Sequence, residues 1–579
     1  MKIDNALNKV FNLLSKRQRK RLYLILIFLF IGMLLEAFGI GIILPILNII
    51  ASPESLKQFD WVNDFFVFIN IIEERQIIIF SLSLLVVVYF FKSVYLVGLS
   101  YFQNRYISFI SAELSNRLFK NYLNQDYMFH NNRNSAELVK MFQVEINMVT
   151  QLLLSGLILI TEIAITIAIV STLLFVEPVG TLFIIVFFLI FGAGFYSFSK
   201  NKSTAWGLIR QQADNNIAKL ITEGLNGFSE VFLLGKKHFF QNKLIQYNKV
   251  KARIYSNQVT LGQIPRYYLE FISIVSLVGF ILIMIINEKN IAEIISIGGV
   301  FIAATFRVLP SINRIIGSLQ QIKYYKSSVD LVNSDLQLKS LPMEEEISQT
   351  EILFQHKLAL NKISFAYPKT DLNVFENLDF ELNRGEVVGI IGPSGVGKST
   401  FTNIIVGFLH SFEGIFMVDG KIIDRSNSAQ WRKQLGYVSQ SIYLTDDTIR
   451  ANIAFGEEPF EVDDLRMENA LKKAQLFSFV QSLPNQLETI VGERGAQLSG
   501  GQQQRIGIAR ALYHEPKLLI LDEATSALDE DTEREVMKAV EGLKGEMTIL
   551  IITHRLSTLA CCDKIYKVDQ KKVVEQRTN

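Results

Sequence analysis

A chain of 579 residues that is 49% hydrophobic and carries a formal net charge of only +2, with a positive mean hydropathy, departs from ordinary soluble composition and points to a membrane. The near-neutral balance excludes a dedicated nucleic-acid binder, which shows a basic face or excess. The only two cysteines, Cys561 and Cys562, are adjacent, so no disulfide framework exists and the half that holds them belongs in a reducing compartment.

The chain opens with Lys16, Arg17, Arg19, Lys20 and Arg21 ahead of an apolar run over 22–50. A signal peptide has the same order, but its apolar region is only about 7–15 residues long and ends at a small-residue cleavage site, so this run reads as a spanning helix. Further runs over 77–99, 152–176, 179–198, 269–286 and 291–309 are each long enough to cross about 30 Å of hydrocarbon, which predicts six transmembrane helices. Long polar stretches separate the second span from the third and the fourth from the fifth, whereas the other joints, Glu177-Pro178 and 287–290, are tight. Lys200, Lys202, Lys219, Lys236, Lys237, Lys243, Lys249, Lys251 and Arg253 fill the second long loop, while the opposite side shows Lys57, Arg75 and Lys289. By the positive-inside rule both termini and both long loops, about 101–150 and 199–265, are cytoplasmic.

The outer loop 51–76 spaces Trp61, Phe65, Phe66, Phe68, Ile69 and Ile72 as one face of a helix, with Asp60, Asn63, Asp64, Asn70 and Glu74 on another. Residues 55–74 read either as an amphipathic helix lying on the outer leaflet or as one packed against the spans. A polar linker is expected over 333–351, which sets a transmembrane domain at 1–332 and a second domain at 352–579. There short β-like runs alternate with amphipathic helical runs, the pattern of an α/β domain.

In that domain, Gly392-Pro393-Ser394-Gly395-Val396-Gly397-Lys398-Ser399-Thr400 stands between an apolar strand and a helix. It fills the phosphate-loop pattern, in which glycines aim backbone N–H groups at phosphate oxygens and the helix start adds positive potential. Lys398 then reaches the β- and γ-phosphates of a nucleoside triphosphate and Ser399 a magnesium ion. The run 518–521 ends in Asp522-Glu523; an Asp there suits Mg²⁺ and the adjoining Glu suits activation of the attacking water. The two motifs together predict nucleotide hydrolysis.

Leu498-Ser499-Gly500-Gly501-Gln502 leads into a helical run and resembles the signature of ATP-binding-cassette transporters. The resemblance implies a multidomain membrane protein with six transmembrane α-helices and long cytoplasmic extensions, followed by an α/β cassette. It implies ATP and Mg²⁺ as cofactors and a signature that closes on nucleotide held by a partner cassette. Residue by residue, Tyr367 is similar to the aromatic that stacks on adenine, Gln440 to the glutamine that contacts Mg²⁺, Asp529 to the loop crossing the dimer axis and His554 to the switch histidine on the γ-phosphate. Val491-Gly492-Glu493-Arg494-Gly495 resembles the exporter segment that touches the cytoplasmic loops, whereas Tyr443-Leu444-Thr445-Asp446-Asp447 departs from the exporter pattern. One membrane domain with one intact cassette implies a half-transporter, favoured as a homodimer. Coupling joints are expected at about 127–135 and 225–235, and ATP binding and hydrolysis then drive alternating access.

For the cargo, Lys92, Arg266, Arg307 and Arg314 are charges in or near spans. They suit either an anionic head group such as a pyrophosphate or ordinary placement near cytoplasmic ends, where Arg266 can also pair with Glu270. Pro265-Arg266-Tyr267-Tyr268-Leu269-Glu270, Phe306-Arg307-Val308-Leu309-Pro310, Tyr324-Tyr325 and the aromatic outer loop resemble bacterial lipid-linked oligosaccharide flippases of the PglK type. That resemblance implies movement of an undecaprenyl-pyrophosphate oligosaccharide to the outer leaflet of a bacterial inner membrane for protein glycosylation. The rival readings are export of lipid A, peptide or drugs and, from another class, an ATP-gated channel. Processing of leader peptides is not expected, since no cysteine-peptidase segment precedes the spans.

Overall fold

A computed structural model describes residues 3–42, 74–176, 178–286, 291–339, 352–368, 370, 372–410, 412–524, 530–555 and 557–576. The outer segment expected over 55–74 lies outside the described residues apart from Glu74, as does the linker beyond 339.

The chain divides into two units, one of residues 1–123 and 132–339 and one of residues 124–131 and 340–579. The first unit is helical: α1 (Ile3–Leu13), α2 (Lys16–Gly41), α3 (Glu74–Leu123), α4 (Tyr127–Asn132), α5 (Ser135–Lys140), α6 (Ile146–Val176), α7 (Pro178–Asn226), α8 (Phe228–Leu233), α9 (Lys237–Ile286) and α10 (Ile291–Leu336), with most of the short α4 belonging to the second unit. Helices α3, α7, α9 and α10 run to 50, 49, 50 and 46 residues. At about 1.5 Å per residue each is more than twice the thickness of the hydrocarbon core, so each continues well beyond its apolar run as a polar extension. Among the described residues, three helical stretches, Arg75–Leu123, Ser135–Ser171 and Lys237–Ile286, are long and apolar enough to cross a membrane. The runs at 22–50, 179–198 and 291–309 include residues or side chains outside the description. Helix α10 continues to Leu336, past the expected start of the linker at 333.

Two features have no counterpart in the sequence reading. Helix α1 buries Ala6, Val10 and Leu13, and Lys9 pairs with Asp330 of α10 at 2.6 Å. Between α5 and α6 the chain makes a π-helical turn, Met141–Glu145, which delivers Glu145 into the interior, wholly buried. There Glu145 meets Lys140 at 2.8 Å and Arg210 at 3.3 Å, Arg210 donates to Asp214 at 2.9 Å and to the Ser328 hydroxyl at 2.8 Å, and Lys251 reaches Asp214 at 2.7 Å. One ionic network thus ties the extensions of α7, α9 and α10 to the α5–α6 junction. Burial alone would raise the Glu145 carboxyl; Arg210 and Lys140 outweigh it and hold it below the ordinary carboxylate value.

The second unit carries two sheets. Strands β1 (Lys357–Ala366), β2 (Asn373–Asn383), β4 (Glu413–Val418) and β5 (Lys421–Ile422) form an antiparallel sheet in the order β2-β1-β4-β5. The other sheet has the order β10-β9-β3-β8-β7-β6, built from β3 (Val387–Ile391), β6 (Leu435–Val438), β7 (Leu518–Asp522), β8 (Thr548–Ile552), β9 (Lys564–Asp569) and β10 (Lys572–Gln576). It is parallel except at β10. Alternate residues of its central strands enter two separate cores. Val388, Ile390, Leu518, Ile520, Leu550 and Ile552 pack with Phe401 and Trp431, while Val387, Leu519, Leu521, Ile549 and Ile551 pack with Ile506, Ile508 and Val536. Burial on both faces is why these strands read as continuous apolar runs.

Candidate nucleotide site and membrane cavity

Four loops leave the carboxyl ends of β3, β8, β7 and β6, neighbours in the sheet, and so converge on one edge, the place where open parallel sheets bind ligands. The loop after β3 enters α11 (Lys398–Ile405) through Gly395 at φ 80° and Gly397 at φ 110°, conformations that exclude most side chains. A Cβ on Gly397 would stand 2.7 Å from Val374. Lys398 is buried and donates to the carbonyls of Gly392 at 2.9 Å and Pro393 at 3.2 Å, so its ammonium is folded back over the loop, 3.5 Å from Glu523.

Glu523, one residue past β7, adopts the left-handed φ of 50°, and its N–H donates to Ile552 of β8 at 2.8 Å. A non-glycine residue held there is strained, and such strain persists where the surroundings fix it, as at catalytic centres. Its carboxylate accepts from Gln440 Nε2 at 3.0 Å and lies 3.9 Å from His554 Nδ1. Asp522 is buried; burial pushes its carboxyl above the ordinary value, opposed by the hydrogen bond from Tyr437 at 3.3 Å and reinforced by Glu523. The structure therefore gathers Lys398, Gln440, Asp522, Glu523 and His554 into one cluster, and adds Tyr437 of β6. Tyr367 stands beside the loop, its hydroxyl 3.0 Å from the Thr400 hydroxyl. Asp529 lies outside the described residues.

Ser499 to Gln502 are not part of this cluster. Ser499 caps α12 (Gly500–Tyr513) in a reciprocal box: its hydroxyl accepts from Gln502 N–H at 3.3 Å, and Gln502 Oε1 accepts from Ser499 N–H at 2.9 Å. Ser499 and Gly500 are exposed at that helix start. Arg510, near the other end of α12, donates to the Asn452 carbonyl at 2.6 Å and the Tyr443 carbonyl at 2.8 Å, which links the signature helix to the segment following Gln440.

In the first unit, a cavity of about 760 Å³ lies between α9 and α10. Arg266, Arg314, Gln263, Asn313, Ser273 and the carboxylate of Glu270 supply its polar lining, and Ile274, Leu277, Ile302 and Leu309 its apolar lining. Pro265 and Pro310 lie within the two helices beside it, each removing one backbone donor. Arg266 lies over the Tyr267 ring and forms no ion pair with Glu270; Arg314 is paired with Glu162 of α6 at 2.6 Å. Lys92 does not belong to this cavity. It is buried against Glu36 of α2 at 2.7 Å, a helix-to-helix pair that neutralises it. Arg307 falls in α10, its side chain outside the description.

Residues 375–526 match the family described as ABC transporter, and residues 22–309 match the ABC transporter transmembrane region. The chain is an ABC transporter. It has the half-transporter layout of one membrane region and one cassette, and it hydrolyses ATP to drive transport. An ATP-dependent lipid A-core flippase of Cupriavidus metallidurans is 30% identical over 495 residues, 83% of this chain and 81% of that protein. The heterocyst differentiation ATP-binding protein HepA of Nostoc is 27% identical over 574 residues, 97% of this chain and 91% of that one. Among solved structures, a bacterial Atm1-family ABC exporter with ATP bound superposes with a TM-score of 0.79 over 96% of this chain and 95% of that chain at 20% identity, a likeness of fold.

Proposed function

We propose that this ABC transporter is a homodimeric flippase of a bacterial inner membrane that moves a phosphorylated glycolipid from the cytoplasmic to the outer leaflet. The observation that carries the cargo class is the cavity between α9 and α10, where Arg266, amide groups and one carboxylate, Glu270, share a lining with aliphatic side chains, Arg314 being paired with Glu162. An amphiphile with an anionic head and neutral hydroxyls matches that lining; guanidinium forks bind phosphate, and the aliphatic wall takes the start of a chain.

In the cassette, Gly395, Gly397 and the start of α11 cradle the phosphates, Tyr367 stacks on adenine, and Lys398 turns from the loop carbonyls to the β- and γ-phosphates. Ser399, Gln440 and Asp522 offer the hard oxygen donors that Mg²⁺ prefers; the ion would neutralise charge developing on the phosphates. Glu523 orients and deprotonates water, and His554 donates to the γ-phosphate. Ser499 to Gln502, already helix-capped and with Ser499 and Gly500 exposed, complete the site of a second copy, and that requirement makes the dimer functional.

Two glycolipids share this chemistry. The segments around Arg266 and Arg307 favour an undecaprenyl-pyrophosphate oligosaccharide, and the named activity of the Cupriavidus relative favours lipid A-core. Purified chain in liposomes, given each labelled lipid with ATP, decides between them: the cargo leaves the accessible leaflet in wild type, stays in Glu523→Gln, and moves more slowly in Arg266→Ala at unchanged ATP hydrolysis. Failure of both lipids to move overturns the glycolipid reading, and sustained ionic current would replace the flippase by a channel.

A further inference from the structure

Cys561 and Cys562, the only cysteines of the chain, stand at the end of the segment that begins with His554. Its described residues are anchored on both sides. The Thr553 N–H donates to Ile390 at the edge of the phosphate loop at 3.1 Å. Glu533 of α13 (Glu530–Glu541) takes hydrogen bonds from Arg555 and from the Ser557 hydroxyl, the latter at 2.9 Å. The Thr558 hydroxyl donates to the Arg555 carbonyl at 2.8 Å. Past the cysteines, Asp563 accepts from the Val387 N–H of β3 at 2.9 Å and pairs with Lys544 at 2.7 Å.

Both thiols turn to one point within this frame. Cys561 Sγ lies 3.4 Å, and Cys562 Sγ 4.0 Å, from the same Thr558 carbonyl oxygen. Cys562 also packs against β3, where a Cβ on Gly389 would meet its sulfur at 3.0 Å. Both residues are partly buried, packed against the core beneath β3. The hydrogen bond between them lowers the Cys561 thiol, with burial opposing, and raises the Cys562 thiol, with burial adding to it, so Cys561 is the sulfur that attacks first. A disulfide between neighbours is geometrically poor, because their Cα atoms are about 3.8 Å apart whereas disulfides take about 4.4–6.8 Å. A larger thiophilic atom bridges two sulfurs without bringing them to bonding distance.

We propose that Cys561 and Cys562 form a two-sulfur site for a thiophilic trivalent centre of the arsenical class, and that its occupation holds the His554 segment in a shifted position and stops ATP hydrolysis. The step is a condensation without redox change. A monomeric organoarsenic oxide and two thiols form two As–S bonds, and the oxygen leaves as water with both thiol protons. The new ring pulls the sulfurs off the Thr558 carbonyl, and the turn that carries Arg555 and His554 moves with them.

The probe is phenylarsine oxide, applied to the purified full-length protein with ATPase activity and intact mass read together. Wild type should gain one adduct per chain and lose most of its hydrolysis, and a dithiol should restore activity where a monothiol at equal concentration does not. Cys561→Ser/Cys562→Ser, which has no cysteine left, should hydrolyse ATP as wild type does and ignore the probe. An unmodified wild type overturns the site, and a modified wild type with full hydrolysis overturns the switch; both readings need only wild-type protein. ATPase activity serves as readout whatever the transported lipid is.

Discussion

Glu523 concentrates the chemistry of the cassette in one residue. Its left-handed backbone turns the carboxylate toward Lys398, Gln440 and His554, at 3.5, 3.0 and 3.9 Å respectively. The hydrogen bond of its N–H to Ile552 of β8 holds that turn in place. The amide of Glu523→Gln retains nearly the same shape, so the loop keeps its conformation while the carboxylate proposed as general base is lost. General-base assistance contributes about 10²–10⁴-fold. Phosphate release by Glu523→Gln should therefore fall by about that factor, with nucleotide binding, read by a fluorescent ATP analogue, preserved. Loss of binding instead would mean that the carboxylate acts mainly by balancing Lys398.

At the level of elements, what the sequence disclosed and what it hid divide by range. The phosphate loop, the strand ending in Asp522-Glu523, the cap Ser499-Gly500-Gly501-Gln502 and the apolar spans are written in contiguous residues, and each was legible because its chemistry needs no distant partner. The buried pair of Lys92 was not: Glu36 supplies its counter-charge from another helix, and a charge met alone in an apolar run reads as functional. Tyr437 likewise becomes part of the site only because β6 and β7 are paired. The π-turn at Met141–Glu145 follows the same rule, since nothing local calls for it until Arg210 and Lys140 are in place around Glu145. Removing one member of such a buried ion network leaves the others uncompensated, at a cost of about 3–5 kcal/mol. Glu145→Gln should thus lower the thermal unfolding temperature of the detergent-solubilised protein, measured by intrinsic fluorescence. Because the native Glu145 carboxyl lies below its ordinary value, its contribution is present at neutral pH and disappears as the pH falls through that lowered value. The variant and wild type should therefore converge in stability at low pH; an equal gap at all pH values would assign the loss to packing.

For the whole molecule, the question is how hydrolysis in the cassette reaches the spans. Of the short helices between the long extensions, α4 and α8 present themselves differently. Tyr127 of α4 stacks on Phe408 with ring centroids 4.7 Å apart and planes 6° from parallel, and Met128 packs on the cassette core. This helix is already seated. Helix α8 exposes Phe228, Phe232 and Leu233, followed by Leu234, with Leu233 at 83%. Such a cluster of exposed apolar residues on a short connecting helix is expected to be covered. If the homodimer proposed above forms, the second copy is the cover expected for this patch. Because Leu233 is exposed, Leu233→Asp should leave folding intact, while the buried charge it would place in the contact weakens docking. Liposomes carrying this variant should hydrolyse ATP yet move little lipid, whereas Tyr127→Ala should impair the seating within one chain. Undiminished transport by Leu233→Asp would remove α8 from the coupling route and leave α4 as the sole path from nucleotide to cavity.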